Sequence, residues 1–292
     1  METTQDIKLS SHTPLIDAWA ELQAQAEGVG GEPPQANAYR LAFADPEFLL
    51  RRETRGIRFQ LELLKPELGL AHAGIAHTVV VYGSARFLEP EQAASKLAAA
   101  RAGGDAAAIR AAERGVRNAR YYEAARRFGA LVAAHGLKQP PQERLHICTG
   151  GGPGVMEAAN RGAHELGAPT VGLNISLPHE QTANPYITPQ LCFKFHYFAL
   201  RKMHFMIRAK ALVAFPGGFG TLDELFEVLT LVQTRKVKPL PIVLYGSDYW
   251  RRLLNLEMLV EEGAIAPEDL RLFTVVDEPE QAWGVIREFY GV

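Results

Sequence analysis

Phe215-Pro216-Gly217-Gly218-Phe219-Gly220-Thr221-Leu222-Asp223-Glu224-Leu225-Phe226-Glu227 is the stretch whose reading decides the fold. It continues an apolar run, Ala211-Leu212-Val213-Ala214-Phe215, that reads as a short buried strand, and it leads into a helical pattern. Gly217, Gly218 and Gly220 permit backbone angles and close approaches that a Cβ would forbid. The helix then opens with free N–H groups and a positive dipole end, a combination that holds a phosphate without a lysine. The acid pair Asp223 and Glu224 follows within one helical turn, which puts a carboxylate close to whatever the loop anchors. A plainer reading stands beside this one. Thr221 followed three residues later by Glu224 has the spacing of a capping box, in which hydroxyl and carboxylate satisfy backbone donors at the helix start.

Two further turns of the same construction lie upstream. Leu145-His146-Ile147-Cys148 reads as a buried strand, and Thr149-Gly150-Gly151-Gly152-Pro153-Gly154 leads from it into the helical Val155-Met156-Glu157-Ala158-Ala159-Asn160. Tyr82-Gly83-Ser84-Ala85-Arg86 follows the strand Thr78-Val79-Val80-Val81, where the first strand of a nucleotide-binding sheet opens its crevice. Several strand-to-helix glycine turns in one sheet point to a nucleotide. No G-x-x-x-x-G-K-[ST] occurs, and Gly150-x-Gly152 lacks the third glycine of the dinucleotide fingerprint, which disfavours a Walker-type ATPase and an ordinary NAD enzyme.

Thr149 to Ala159, Phe195 to Met206 and Pro216 to Glu227 resemble the LOG ("lonely guy") family. Its members are cytokinin riboside 5'-monophosphate phosphoribohydrolases once labelled possible lysine decarboxylases, together with related bacterial nucleotide 5'-monophosphate nucleosidases. The P-G-G-x-G-T-x-x-E pattern from Pro216 to Glu224 carries most of the likeness, which covers roughly residues 77 to 290. Arg55 to Pro66 resembles the longer, bacterial branch.

The resemblance implies hydrolysis of the N-glycosidic bond of a nucleoside 5'-monophosphate, AMP or a cytokinin-type compound, with Glu224 and Arg201 as the catalytic pair. Those residue types suit the chemistry. A carboxylate stabilises an oxocarbenium-like sugar and deprotonates water, and a guanidinium offers a permanently charged planar fork. By the same resemblance Gly217, Gly218, Gly220 and Thr221 would hold the 5'-phosphate, and Gly152, Gly154, Met156 and Glu157 would border ribose and base. Gly83, Ser84, Gly151 and Lys202 complete the implied substrate-binding set, with Asp223 as understudy to Glu224. Short members carry Met-His before the Arg-Lys pair, whereas here Met203-His204 follow Arg201-Lys202, so His204 inherits no role. A homo-oligomer, dimer or larger, is implied as well.

Composition agrees with such an enzyme. At 292 residues and 47% hydrophobic content the chain can bury a large core, and a formal charge of −2 gives no global attraction to nucleic acid or acidic membrane. The two cysteines, Cys148 and Cys192, suggest neither a disulfide framework nor a thiolate metal cluster. No apolar stretch approaches the length that spans a bilayer, and the polar N-terminus does not read as a signal peptide, so a cytoplasmic protein is expected. His179 and His196 lack any metal-ligand spacing, and no metal is expected. No organic cofactor is expected either, because nothing around Lys194, Lys202 or Lys210 specifies a pyridoxal phosphate site.

The expected fold class is α/β: a Rossmann-like, doubly wound, mostly parallel sheet over residues 77–292, with a helical extension at 1–76. Strands are expected at 78–82, 145–149, 170–175, 191–195, 211–215, 240–245 and 272–276, with helices after 153, 197, 219, 247 and 278. Glu91 to His135 reads as two helices broken at Gly103-Gly104-Asp105. In the extension, Pro14 to Ala26 and Pro46 to Leu64 have helical spacing around a Gly/Pro loop at 28–34, and Arg51, Arg52, Arg55 and Arg58 form a basic cluster that reads as a solvated or ion-paired helix face, with a regulatory phosphate ligand as the other reading. Pro178 to Tyr186 is a polar loop and a candidate lid or base-side wall. Two other functions fit the glycine turns: a non-catalytic nucleotide or molybdenum-cofactor carrier, and a nucleotide-sensing scaffold.

Overall fold

The computed structural model of the protein describes residues 18–19, 22, 38, 40–177 and 182–291. The loop at 28–34, residues 1–11 and most of the helical stretch expected from Pro14 to Ala26 lie outside the described residues. The chain divides into two units between Leu61 and Glu62.

In the first unit, α1 (Pro46–Leu49) is capped by Asp45, whose carboxylate accepts from the Phe48 amide at 3.1 Å. The helix expected from Pro46 to Leu64 is broken after Leu49. The Thr54 hydroxyl donates to the Leu49 carbonyl at 2.8 Å, closing a turn from which α2 (Arg55–His72) starts. Arg58, expected on a solvated or ion-paired face, gives its Nη1 to the carbonyls of Leu49 and Arg51, which the broken helix leaves without intrahelical donors. α2 itself runs eight residues further than expected, across the unit boundary and through Pro66.

The second unit is built on seven strands: β1 (His77–Tyr82), β2 (Leu145–Thr149), β3 (Val171–Ile175), β4 (Cys192–Phe195), β5 (Ala209–Ala214), β6 (Ile242–Tyr245) and β7 (Thr274–Val276). They form one sheet in the order β4-β3-β2-β1-β5-β6-β7, and every pairing is parallel. Their composition explains this. Runs such as Val79-Val80-Val81 are apolar on both pleat faces and need cover on both sides, which helical crossovers supply.

The helices are α3 (Pro90–Gly103), α4 (Ala106–Gly136), α5 (Val155–His164), α6 (Phe198–Ile207), α7 (Phe219–Gln233), α8 (Ser247–Leu253) and α9 (Leu256–Glu261), which lie in the crossovers, and α10 (Pro279–Tyr290), which follows the last strand. On one face Val79 and Val81 pack with Phe128 of α4, Ala159 of α5 and Trp283 of α10. On the other, Val80 and Tyr82 pack with Leu70 of α2, Phe205 of α6, Leu225 of α7 and Trp250 of α8. The alternation along β1 therefore sorts the helices into two layers. The break expected between two helices falls where Gly104 takes a left-handed φ of 73° and Asp105 caps α4 through the Ala107 amide. α9 carried no clear sequence signal and was not foreseen.

β1 is followed by a crossover toward β2 and β5 by one toward β6, so their C-terminal turns diverge. That divergence opens a crevice at the C-terminal edge of the sheet, the usual ligand position in such folds. Among the described residues no helix is long and apolar enough to cross a membrane, and no group of three or more His, Cys, Asp or Glu side chains could hold a metal.

Candidate active site

All three glycine turns lie at this crevice, and they are laced together by backbone bonds. The Ser84 amide donates to the Pro216 carbonyl at 3.0 Å, and the Val155 amide donates to the Ser84 carbonyl at 3.1 Å. The turn after β1 thus sits between the other two. It fits only because side chains are missing: a Cβ on Gly83 would meet Val155, and one on Gly154, where φ is +71°, would strike the Ser84 carbonyl. In the turn after β5, a Cβ on Gly217 would collide with the Thr221 side chain, whereas Gly218 and Gly220 face open space. Packing therefore accounts for Gly217 and leaves Gly218 and Gly220 free for the approach of a ligand.

The capping box expected at Thr221 and Glu224 is not formed. α7 begins at Phe219 with Gly218 as its N-cap and no side-chain cap, so Thr221 lies within the first turn rather than before it. Thr221 is buried against Gly217, and the Glu224 carboxylate turns to a different partner. That partner is Arg201, whose Nη2 donates to Glu224 Oε1 at 2.7 Å. The two side chains are 9% and 12% exposed.

Arg201 is on α6 and Glu224 on α7, two helices of the same layer over β1 and β5. The second arm of the guanidinium reaches the Leu173 carbonyl at 3.3 Å, and its carbon lies 5.2 Å from the ring centroid of Phe205, where cation–π attraction offsets part of the desolvation. Burial pushes the Glu224 carboxyl up to about 7, against the opposing pull of Arg201. Tyr82, at the end of β1, is raised by burial and then by the Glu224 charge, which places its ring beside the pair. A carboxyl that titrates near neutrality beside a permanent cation can take or give a proton at working pH.

Lys202 and Asp223 stand together outside this pair. Lys202 Nζ lies 2.7 Å from Asp223 and 3.1 Å from Glu227, and Asp223 is 57% exposed. The two acids that the sequence placed side by side therefore point to different cations in different surroundings. Met156 closes over the second turn, its sulfur within 2.9 Å of where a Gly150 Cβ would stand, and Arg201 approaches the same spot at 3.2 Å. Glu157 accepts from the Tyr122 hydroxyl at 2.8 Å, away from Glu224.

Several side chains around the site escaped the sequence reading. Thr149, Asn160 and Asn184 form a buried network: Thr149 donates to Asn160 Oδ1 at 2.7 Å, and Asn184 Nδ2 donates to Asn160 Oδ1 and to the Gly152 carbonyl at 3.1 Å each. With the Gly151 amide on Thr149 and the Asn184 amide on the Gly151 carbonyl, the second turn is held from inside. Gly151 and Gly152 accordingly border the crevice as fixed backbone. Through Asn184 the network ties the described part of the loop expected as lid or wall to that turn; residues 178–181, His179 among them, lie outside the described residues. An asparagine on the apolar face of a helix, as at Asn160, was the available signal. Tyr249 of α8 donates its hydroxyl to the Gly217 carbonyl and fixes the first turn from behind. A cavity of about 400 Å³ opens on the far side of Tyr249 and includes neither Arg201 nor Glu224; there Arg252 faces Asp248 and Arg120 stacks on Tyr121.

A parallel, doubly wound sheet with glycine turns and a buried acid–guanidinium pair at its switch point defines a Rossmann-like α/β protein. The comparisons sharpen this. Residues 156–286 match the family described as possible lysine decarboxylase, and the chain is similar to proteins of the LOG family. It is 30% identical over 159 residues to the cytokinin riboside 5'-monophosphate phosphoribohydrolase LOG of Oryza sativa subsp. japonica, covering 53% of this chain and 62% of that protein. It is 32% identical over 122 residues to an Arabidopsis thaliana protein of the same description, LOG3, covering 40% of this chain and 55% of the relative. The chain thus spans under two thirds of the length of these relatives. Among solved structures, the molybdenum cofactor carrier protein of Chlamydomonas reinhardtii is 17% identical and covers 74% of this chain and 99% of its own, with a TM-score of 0.41. So loose a superposition carries no argument about function.

Proposed function

We propose that the protein hydrolyses the N-glycosidic bond of nucleoside 5'-monophosphates, AMP or a cytokinin riboside monophosphate, to free base and ribose 5-phosphate. The observation that carries this reading is the buried Arg201–Glu224 pair beside an open glycine turn, with the Glu224 carboxyl pushed up to about 7. The 5'-phosphate sits on the first-turn amides of α7, next to Gly218 and Gly220, where nothing fills the space a Cβ would take. Gly83, Ser84 and the turn from Gly151 to Gly154 border the sugar, and Met156 lies on the base side.

As the bond from the anomeric carbon to the base nitrogen breaks, its electron pair leaves with the base, which takes up a proton. The sugar becomes oxocarbenium-like, and the ionised Glu224 stabilises that charge. Water adds to the anomeric carbon and gives its proton to Glu224. Arg201 holds the carboxylate in place and adds positive charge near the phosphate. Lys202, engaged by Asp223 and Glu227, supports the field around the pair from its outer side.

Residues 77–292 serve as the catalytic domain and 1–76 as a helical extension, and the enzyme works in the cytoplasm as a homo-oligomer. Exposed apolar side chains next to the site, Phe198, Met203, Phe219 and Phe226, favour the oligomer. The reading is tested by incubating the protein with AMP and then with isopentenyladenosine monophosphate, following release of free base by chromatography. Base release that Glu224→Gln abolishes supports it; nucleotide binding without base release from either compound overturns it in favour of a carrier.

A further inference from the structure

We propose that Glu62 is a positioning residue for Arg201: its carboxylate holds the backbone just ahead of α6 in the place from which Arg201 reaches Glu224. The inference rests on the pair having the role given above, but its geometry stands independently. Glu62 Oε1 accepts from the His196 amide at 3.0 Å and Oε2 from the Tyr197 amide at 3.1 Å. Tyr197 is the N-cap of α6 and supplies no side-chain cap of its own. The carboxylate of a distant helix therefore does what a local Ser or Asp does elsewhere, and it places a negative charge at the positive end of α6.

The connection to the site is one helical turn long. The Tyr197 carbonyl accepts the Arg201 amide at 3.2 Å, and the Arg201 side chain meets Glu224 at 2.7 Å. The other end of α6 is held from the same helix. Arg208, directly after α6, donates to Glu67 Oε1 at 2.8 Å and to the Ile75 carbonyl at 2.9 Å. His204 is buried between these anchors, below the usual histidine range because of its burial. Glu62 is the anchor next to Arg201, and Glu67 is the remote one.

A purely structural role and a positioning role separate in the titration of Glu224. The charged and titratable groups facing Glu224 are Arg201 and Lys202 from α6, Asp223 beside it on α7, and Tyr82 from β1. Arg201 opposes the upward push of burial. If Arg201 drifts when Glu62 is removed, Glu224 must titrate higher.

The experiment compares wild type, Glu62→Ala, Glu62→Gln and Glu67→Gln, with the side-chain carboxyl carbons of glutamate labelled with ¹³C and Glu224 assigned by its loss in Glu224→Gln. Glu62→Ala is expected to raise the Glu224 midpoint by about half a pH unit or more, with Glu62→Gln, which keeps one acceptor, in between. Glu67→Gln is expected to lower the melting temperature while leaving that midpoint in place. In the base-release assay, Glu62→Ala is expected to lower kcat about ten- to a hundredfold with KM changed far less. An unmoved Glu224 midpoint in folded Glu62→Ala overturns the proposal, as does an equal shift in Glu67→Gln. The titration needs no turnover, so a shifted midpoint in a protein that releases no base keeps the positioning role and removes only the proposed activity.

Discussion

Glu224 and Asp223 are neighbours in the chain, yet Glu224 meets Arg201 in a nearly closed environment while Asp223 meets Lys202 at the surface. The catalytic reading depends on this division, and it separates the two acids experimentally. Glu224→Gln keeps an acceptor for Arg201 but has no proton chemistry, so base release from AMP is expected to fall about 10²–10⁴-fold. Asp223→Asn removes only an exposed ion pair of about 0.2–1 kcal/mol and is expected to leave the rate within about threefold. Steady-state base release by the two variants checks both. Equal losses would place the chemistry on neither acid alone.

The raised Glu224 carboxyl fixes the sign of two pH effects. As a general base it must be ionised, so base release is expected to rise with pH through a midpoint near 7 and to level off above it. Stability moves the other way. A carboxyl at about 7 in the folded chain against an ordinary value of about 4.3 when unfolded binds more protons when folded, so its contribution is complete below about pH 4 and lost as pH rises through 7. The loss is on the order of 3–4 kcal/mol. Wild type is therefore expected to lose stability relative to Glu224→Gln between pH 5 and 8, measured by urea unfolding at fixed ionic strength. Parallel curves for the two proteins would rule out the raised value.

Much of the fold was legible because its signals are local. Most of the seven strands are short apolar runs with a glycine or proline close to one end, and all seven fall within about two residues of where the pattern placed them. Gly104 and Asp105 likewise announced the break between α3 and α4 through one left-handed residue and one cap. The helix after 219 falls where expected, but its cap was misread because Thr221 has the right spacing for one, while the actual N-cap, Gly218, offers no side chain to recognise. The Arg201–Glu224 pair became visible only through a family likeness, since the contact spans 23 residues and no local period encodes it. Glu62, Asn160, Asn184 and Tyr249 act on the site through tertiary contacts that sequence spacing does not carry.

Arg201 has two hydrogen-bonded arms in different directions, one to Glu224 and one to the Leu173 carbonyl. A lysine at this position is cationic but cannot serve both. Arg201→Lys is accordingly expected to lose about tenfold or more in kcat/KM while keeping its fold, and Arg201→Met to lose more and to raise the acid limb of the pH profile, since the charge that opposes protonation of Glu224 is gone. A full pH profile for each variant decides the matter. Wild-type rates in Arg201→Lys would show that charge alone suffices.

The three glycines of the turn after β5 are expected to fail in different ways. A methyl at position 217 collides with the buried Thr221, so Gly217→Ala is expected to destabilise the fold by about 1–3 kcal/mol and to displace the first turn of α7. A methyl at 218 or 220 meets nothing in the protein. Gly218→Ala and Gly220→Ala are therefore expected to hold their melting temperature within about 4 °C, a change of under 1 kcal/mol, while KM for AMP rises about tenfold because the methyl occupies phosphate space. Thermal melts and KM values for the three single variants supply the comparison. If Gly218→Ala and Gly220→Ala both bind AMP like wild type, the phosphate does not lie on this turn, and the anchor has to be sought in the turns after β1 and β2.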